Sequence, residues 1–263
     1  MILRRDYGRL GVGVTSPHLM ADASGKRYVV KLSQNRVGVK ALANEWLGYR
    51  LGRRCGLRLP RAELAELAPE LVASSRTLGK LSVDAVHFAS RYLAGCTYVG
   101  RQAIRQAVNK DEVVGAMLFD HLLCNEDRTL NRKNFLALWR GDKACIYAID
   151  HSHLLGSGRW QKETVLAQAE EIVVNQRLLY GWLIRHYITQ DRLEHHVERI
   201  GGIDQLEIDE MVAEVPPAWL SHADREVFKQ FWQIRQAMVT DIAKRLLSLA
   251  SDYHRRAERY IVK

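Results

Sequence analysis

The sequence predicts an α+β fold of two lobes, in which a small β-rich N-terminal lobe precedes a larger, mainly helical C-terminal lobe. Two observations lead to this prediction. Up to about residue 92, short runs of β-branched and aromatic residues alternate with turn-forming clusters around one helical pattern. Beyond about residue 100, apolar residues recur at helical spacing. We therefore expect an N-lobe over residues 1–92 and a C-lobe over residues 93–263.

The first elements of the N-lobe are a β-hairpin and a helix. The cluster of turn-forming residues at 22–26 joins two strands, and the second strand, over residues 27–32, is rich in β-branched and aromatic side chains. A helix is expected over residues 38–54, where apolar residues recur at helical spacing. Gly48 and Gly52, four residues apart, would let this helix approach another segment closely. Further short strands are expected over residues 57–60, 62–67 and 83–93.

The C-lobe begins with a helix that is apolar on nearly every side. It opens at Asn109, which we expect to act as an N-cap together with Glu112 three residues later. Such a helix belongs in a core. Two short strands follow at residues 135–139 and 144–149. The remaining helices are expected over residues 162–187, 190–199, 205–213 and 222–250.

Composition narrows the class of protein. The 263 residues are 47% apolar and 26% charged, no apolar run reaches the roughly 18 residues of a membrane span, and we expect a soluble cytoplasmic protein. The four cysteines form no C-x-x-C pair, so we expect buried, reduced thiols. A net charge of +9 attracts anions. Nucleic acid is not excluded as a partner, although no zinc-finger spacing or RNA-binding aromatic motif is present.

Five polar residues occur in a suggestive order along the chain, four of them at the ends of predicted elements and one within a helix. Lys31 ends a strand, and Glu45 lies in the following helix. Asp127 follows the apolar helix of the C-lobe, Asn134 precedes the next strand, and Asp150 ends the strand after it. Phosphoryl transfer needs this set: a lysine for phosphates, a carboxylate to orient a hydroxyl, and hard oxygen ligands for Mg²⁺.

A second interpretation takes the run Asp150–His153 as part of a metal-hydrolase site, together with His87 or His121. Zinc and manganese favour mixed His and Asp ligands. This hypothesis leaves Lys31 and Glu45 without a role, and the histidines lack paired helical spacing. Phosphoryl transfer is therefore the better explanation of the pattern.

At this point the chain resembles the HipA-like kinases, over roughly residues 8–160. The resemblance lies in five segments in the family's order: Tyr28–Lys31; Asn44-Glu45 with Gly56–Pro60; Phe88–Leu93; Asn125–Arg128; and Ile149–His151. It implies a two-lobed protein-kinase-like fold. In that fold ATP and Mg²⁺ bind between the lobes.

The resemblance also implies roles for individual residues. Lys31 would bind phosphates with Glu45 as its partner, Asp127 would be the catalytic residue, and Asp150 the metal-binding one. Asn134 would be the second metal ligand. The loop holding Gly11 and Gly13 would cover the phosphates, and the backbone of Phe88, Ala89 and Ser90 would contact adenine.

Two features depart from the family pattern. The metal-binding Asn often lies five residues after the catalytic Asp, but Arg132 stands there, while Asn131 and Asn134 lie four and seven residues after Asp127. Asn134 is preferred because it directly precedes a strand. The glycine-rich loop is also incomplete, since it lacks a third glycine beside Gly11 and Gly13.

The function implied by the resemblance is ATP- and Mg²⁺-dependent phosphorylation of a hydroxyl, with a protein serine or threonine as acceptor. The resemblance also points to a toxin–antitoxin setting and an antitoxin-like partner. Three alternatives stay open: a small-molecule kinase, an ATP-binding pseudokinase that acts as an interaction module, and a basic nucleic-acid-binding protein.

Overall fold

A computed structural model describes residues 1–11, 13–82 and 84–261 of the chain. Its N-terminal part is a closed barrel of five strands in the order β1-β2-β3-β5-β4. All neighbours are antiparallel except β1 and β4, which run parallel. The strands are β1 (Ile2–Arg9), β2 (His18–Asp22), β3 (Arg27–Lys31), β4 (Ala62–Leu67) and β5 (His87–Arg91).

The predicted hairpin at residues 22–26 is confirmed as the β2–β3 connection. The Asp22 carboxylate accepts hydrogen bonds from the backbone N–H groups of Ser24 and Lys26, at 2.8 and 3.0 Å. Gly25 has φ = +78°, a conformation that costs glycine little. The hydrogen bonds of Asp22 and the conformation of Gly25 define the turn, and the turn sets the register between β2 and β3.

Helix α1 (Lys40–Arg54) begins two residues later than the predicted Gly38. The delay arises because Asn35 organises the preceding loop: its Oδ1 accepts hydrogen bonds from the backbone N–H groups of Val37 and Gly38, both at 2.9 Å. Gly38 has φ = +106°, which is incompatible with a helix.

The glycines of α1 allow the close approaches that the sequence predicts. A Cβ at Gly48 would lie 2.5 Å from the Cβ of His151, and one at Gly52 would lie 2.7 Å from Leu59 Cδ1. Both are shorter than any ordinary contact, so the helix packs on these residues through its backbone.

Two N-lobe strand predictions need correction. Residues 57–60 pair with no strand, and this segment instead packs leucines against α1. The strand expected over 83–93 is β5, which begins at His87; Val83 itself lies outside the described residues. A short helix that was not predicted, α2 (Pro69–Ser74), follows β4 and begins with proline in its first turn.

His87, at the start of β5, is buried in the neutral form. Its Nδ1 accepts a hydrogen bond from the backbone N–H of Ser33 at 3.0 Å, so a proton added there would face another donor. Burial lowers the pKa of His87 to about 4. The side chain therefore stays uncharged at neutral pH.

The central helix of the C-lobe, α4 (Lys110–Leu122), is confirmed as a core element. Every residue from Val113 to Leu122 is buried. Asn109 is the N-cap residue of α4, as predicted, but its side chain makes no hydrogen bond to the backbone of the first turn. The buried carboxamide instead donates to Ile146 O at 2.8 Å and accepts from Ile146 N at 2.9 Å, which ties α4 to a neighbouring strand.

A second sheet, in the order β6-β7-β8, lies beside α4. Its strands β7 and β8 match the predicted pair within one residue at each end, whereas the two-residue β6 was not predicted. Two short helices, α3 and α5, complete this region. The bounds are β6 (Thr97–Tyr98), β7 (Phe135–Arg140), β8 (Lys143–Ala148), α3 (Arg101–Arg105) and α5 (Asp127–Leu130).

Two of the long helices predicted in the C-lobe are each divided. The segment expected over 162–187 forms α6 and α7, and the one over 222–250 forms α10 and α11, which are separated at Met238. The remaining bounds are α6 (Lys162–Ala169), α7 (Leu178–His186), α8 (Gln190–Gly201), α9 (Gln205–Ala213), α10 (His222–Ala237) and α11 (Val239–Ile261).

The buried Arg235 side chain explains the end of α6. Its guanidinium donates to the oxygen of Ala169, the last residue of α6, at 3.1 Å and to Glu171 O, just beyond the helix, at 2.5 Å. The same group donates to His121 O and Leu122 O at the end of α4. The guanidinium thus links the C-terminal ends of α4 and α6 through contacts with four carbonyl oxygens.

Two hydrophobic cores account for the two-part organisation. One fills the barrel, and the other contains the C-lobe helices and sheet together with the apolar face of α1. All four cysteines are free thiols, as predicted, although only Cys55 is fully buried. No helix within the described residues is long and apolar enough to cross a membrane.

Candidate active site

A cleft of about 780 Å³ lies between the barrel and the C-lobe. From the barrel it is lined by Val29 and Lys31 of β3 and by the loop between β1 and β2. From the C-lobe it is lined by Asn134, Ile149 and Asp150. Its size is typical of a site for a small organic ligand.

Lys31 contacts two other predicted site residues, Glu45 and Asp150, within this cleft. Its ammonium contacts the carboxylate of Glu45 on α1 and lies 2.7 Å from Asp150 Oδ1. Lys31 and Glu45 are buried, while the Asp150 side chain is 26% exposed. The contact between Lys31 and Asp150 spans the two parts of the molecule.

Burial and these charges act in opposite directions on the pKa values. Burial alone would lower the pKa of Lys31, but the carboxylates of Asp150 and Glu45 outweigh it and raise the pKa. Burial alone would raise the pKa of Asp150, but the Lys31 ammonium holds it well below its usual range. Burial raises the pKa of Glu45 to about 7, against the opposing effect of Lys31. Lys31 and Asp150 are therefore charged at neutral pH.

Asp150 is held in an unusual backbone conformation. Its φ of +61° lies in the left-handed region, which costs a residue with a Cβ about 1 kcal/mol or more. Ser152 Oγ donates to Asp150 Oδ1 at 2.6 Å and supports this turn. Strain of this kind persists where the surrounding structure imposes it, and it is commonest at functional sites.

Asn134 lines the C-lobe side of the cleft, and Asp127 contacts it from outside the set of lining residues. Asn134 Nδ2 donates to Asp127 Oδ2 at 2.6 Å, which leaves the carboxamide oxygen of Asn134 as the atom suited to bind a metal. The alternative residue, Asn131, accepts a hydrogen bond from Lys133 N through its Oδ1 at 3.2 Å. The geometry therefore favours Asn134 over Asn131.

Arg128, next to Asp127, connects the two acidic segments of the site. It is fully buried and forms an ion pair with Asp120 of α4. Its Nη2 donates to the backbone oxygens of Ile149 and Asp150, at 2.9 and 3.3 Å. The segment that carries Asp127 is thereby held at a fixed position relative to Asp150.

Asn44, next to Glu45, anchors the segment that follows Asp150. Its buried Nδ2 lies 2.9 Å from Ser152 O, 3.0 Å from Leu154 O and 3.2 Å from Ser157 O. The indole N–H of Trp160 donates to its Oδ1 at 3.1 Å. The carboxamide thus fastens the 151–160 segment to α1.

The loop between β1 and β2 borders the cleft as predicted. Gly11 and Gly13 both line it and have φ values of +68° and +80°. Thr15 and Pro17 complete the lining from this loop. The two positive φ values show why glycine stands at these positions.

The predicted contact between adenine and the backbone of residues 88–90 needs correction. These residues lie inside β5, which pairs with β3 on one side and with β4 on the other, so their N–H and C=O groups are already engaged. Phe88 and Ser90 line the cleft, whereas Ala89 packs into the barrel core. Tyr92 and Leu93, beyond the strand, also line the cleft.

The structure does not favour the metal-hydrolase interpretation. Among the described residues, no three His, Cys, Asp or Glu side chains are close enough to hold a metal ion. His151 is buried and packs edge-on against Phe119, with ring centroids 6.1 Å apart. Its role is structural packing beneath the cleft.

Asn44 and Arg128 are two site residues for which the motifs in the sequence predict no role. A weak signal existed for each, because both adjoin a predicted site residue in the chain. Neither position can be assigned from spacing alone, since each side chain bonds to backbone oxygens more than 20 residues away in the chain.

Comparison with known proteins identifies the relatives of this architecture. The profile of the HipA-like kinase family matches residues 5–252. No curated protein matches the sequence significantly.

Solved structures with the same fold share little sequence with the chain. The proinflammatory kinase CtkA of Helicobacter pylori is 14% identical, with a TM-score of 0.61 over 93% of this chain and 94% of that one. Hydra Fam20 with sugar is 10% identical, with a TM-score of 0.54 over 94% of this chain and 85% of that one. The Golgi casein kinase with Mn and ADP bound is 11% identical, with a TM-score of 0.50 over 94% and 72%.

Proposed function

The chain belongs to the HipA-like kinase family, and from that premise we propose that it transfers the γ-phosphoryl group of ATP to a hydroxyl in a Mg²⁺-dependent reaction. The observation that carries the proposal is the contact of Lys31 with both Glu45 and Asp150 inside the cleft. Phosphoryl transfer relies on positioning and charge stabilisation, which this arrangement supplies.

Each site residue has a proposed role. Lys31, kept charged by its carboxylate neighbours, binds the phosphates, and Glu45 orients it. Asp127 orients the attacking hydroxyl by accepting its hydrogen bond. Asp150 and Asn134 are the proposed metal ligands. The proposed lobe boundary lies near residues 92–95, so that Lys31 and Glu45 precede it and Asp127, Asn134 and Asp150 follow it.

The residues present fit ATP and Mg²⁺. Asp150 and Asn134 offer carboxylate and amide oxygens, which Mg²⁺ prefers, and the remaining positions suit water and phosphate oxygens. The positive φ values of Gly11 and Gly13 suit a loop that brings backbone close to phosphate. When bound, Mg²⁺ would neutralise the charge of the phosphates.

A protein serine or threonine is the proposed acceptor, in keeping with the family. An antitoxin-like partner protein and a cytoplasmic location are proposed on the same ground.

The proposal is tested with the full chain, Mg²⁺ and ATP labelled in its γ-phosphate, with and without cell lysate. We expect label on the chain or on a lysate protein. Asp127→Ala and Asp150→Ala should each reduce transfer at least about 100-fold. The matched control is Asp142→Ala, which removes an exposed carboxylate from the turn between β7 and β8 and should leave transfer unchanged.

Two results would contradict the proposal. Absence of transfer while ATP still raises the melting temperature would identify a pseudokinase. Absence of ATP binding by wild type would remove the site assignment altogether.

A further inference from the structure

A second cavity lies at the open end of the barrel, apart from the residues of the proposed transfer reaction. It measures about 670 Å³, which is large enough for a ligand of mononucleotide size. Strand ends and the β2–β3 hairpin surround it. We call it the barrel mouth; the residues used below are Arg4, Lys26, Tyr28, Arg61 and Arg91, with Asp22 and Glu63.

The charges around the barrel mouth are unbalanced. Four basic side chains line it, against two acidic ones. The Asp22 carboxylate is occupied by the hairpin turn, where it accepts hydrogen bonds from Ser24 N, Ser24 Oγ and Lys26 N. Glu63 lies 3.4 Å from Arg61. The barrel mouth therefore has a net positive charge and attracts anions.

Arg91 is one of the basic residues that line the barrel mouth. It ends β5 opposite Tyr28 of β3, and its guanidinium lies 5.5 Å from the centre of the Tyr28 ring. Its Nη1 is buried and has no hydrogen-bond partner within the described part of the chain. A buried donor without an acceptor is costly, and such exceptions call for a bound ion, ligand or water.

The chemistry of the lining indicates the class of ligand. The arginine side chain matches the geometry of phosphate through its fork of N–H donors. Ile2, Ala23 and Tyr28 add an apolar and aromatic wall to the cavity. A ligand that fills it should carry both a phosphate group and an apolar or planar body.

We propose that the barrel mouth binds a small phosphorylated ligand, with Arg91 as the principal donor to its phosphate and Arg4 and Arg61 at the rim. This proposal does not require that the chain transfers phosphoryl groups. Arg91 also lines the cleft, so occupation of the barrel mouth would reach one wall of the cleft directly.

The test is isothermal titration of the full chain with inorganic pyrophosphate and, separately, with AMP, at low ionic strength. The double variant Arg4→Ala/Arg61→Ala removes two rim charges without touching the cleft, and we expect it to weaken binding about tenfold or more. A Lys31→Met variant should retain this binding, because Lys31 lies in the cleft. The matched charge control is Arg140→Ala/Arg245→Ala, two exposed arginines outside both cavities, which should bind as wild type does.

Several outcomes would overturn the proposal. If neither pyrophosphate nor AMP bound, water alone would satisfy the buried Nη1 donor of Arg91. Binding that is lost in Lys31→Met but kept in the rim variant would belong to the cleft. Equal weakening in the rim and control variants would indicate general surface charge, and tighter binding of a poly-glutamate peptide than of pyrophosphate would assign the surface to an acidic protein.

Discussion

Asn44 offers the sharpest test of how the site is assembled, since its side chain is buried and its contacts are all defined. Asn44→Ala removes the partner of three backbone oxygens and of the Trp160 indole N–H. At about 1 kcal/mol for each group, the free energy of unfolding should fall by about 3–4 kcal/mol. With an unfolding entropy of about 2.1 cal/mol/K per residue, the melting temperature should fall by about 6 °C.

An isosteric variant separates hydrogen bonding from packing. Asn44→Asp keeps the volume and one oxygen for Trp160, but it turns a carboxylate oxygen towards the carbonyls that the amide nitrogen had contacted. We expect a loss at least as large as that of Asn44→Ala, because an unpaired buried charge is costly. The control is Asn175→Ala, where one hydrogen bond from Arg177 N at 2.9 Å is lost and about 1 kcal/mol or less is expected.

The assay is equilibrium urea unfolding, combined with label transfer to detect displacement of Asp150. If Asn44→Asp unfolded within about 0.5 kcal/mol of wild type, the carboxamide would not hold the 151–160 segment and the reasoning above would be wrong. Loss of stability without loss of transfer would show that Asp150 keeps its position without this anchor.

Three further predictions concern packing, pH and a buried charge. Gly48→Ala should lower the free energy of unfolding by about 1–3 kcal/mol because the new methyl meets His151, whereas Gly201→Ala, with open space around it, should not destabilise; urea unfolding of both variants decides. The folded-state pKa of His87 is lowered to about 4 from 6.5, so the unfolded chain binds one more proton than the folded chain between these pH values. The free energy of unfolding should therefore fall on acidification through this window, by about 1.4 kcal/mol per pH unit. His87→Gln should remove this pH dependence, as measured by urea unfolding at several pH values. Arg235→Met leaves four carbonyl oxygens without their donor and should lower the free energy of unfolding by about 3 kcal/mol or more, or prevent folding. Arg235→Lys should have an intermediate effect. Wild-type stability of Arg235→Met would show that these contacts do not stabilise the fold.

Much of the fold was accessible from the sequence because its signals are local. The hairpin at residues 22–26 and the strand pair before Asp150 follow from turn chemistry and residue type, and α4 follows from its apolar composition. The order of Lys31 and Asp150 along the chain sufficed to predict that they share a site, since the family pattern fixes which elements carry them.

The incorrect predictions arise from contacts that local sequence patterns do not show. The start of α1 depends on how Asn35 folds its loop, and the end of α6 depends on Arg235, which lies more than 60 residues away in the chain. The backbone of Phe88–Ser90 was assigned to adenine because the pairing of β5 on both sides cannot be read from one strand. Such outcomes depend on tertiary partners that propensity does not encode.

The packing of α1 has a mechanical consequence for this protein. Although α1 falls between two barrel strands in the sequence, its apolar face belongs to the C-lobe core, and Arg54 forms a two-pronged ion pair with Glu207 of α9. Glu45 therefore lies on a helix that is packed into the C-lobe core, while Lys31 lies on a barrel strand. A motion that moved β3 away from this core would lengthen the contacts of the Lys31 ammonium with Glu45 and Asp150 at the same time.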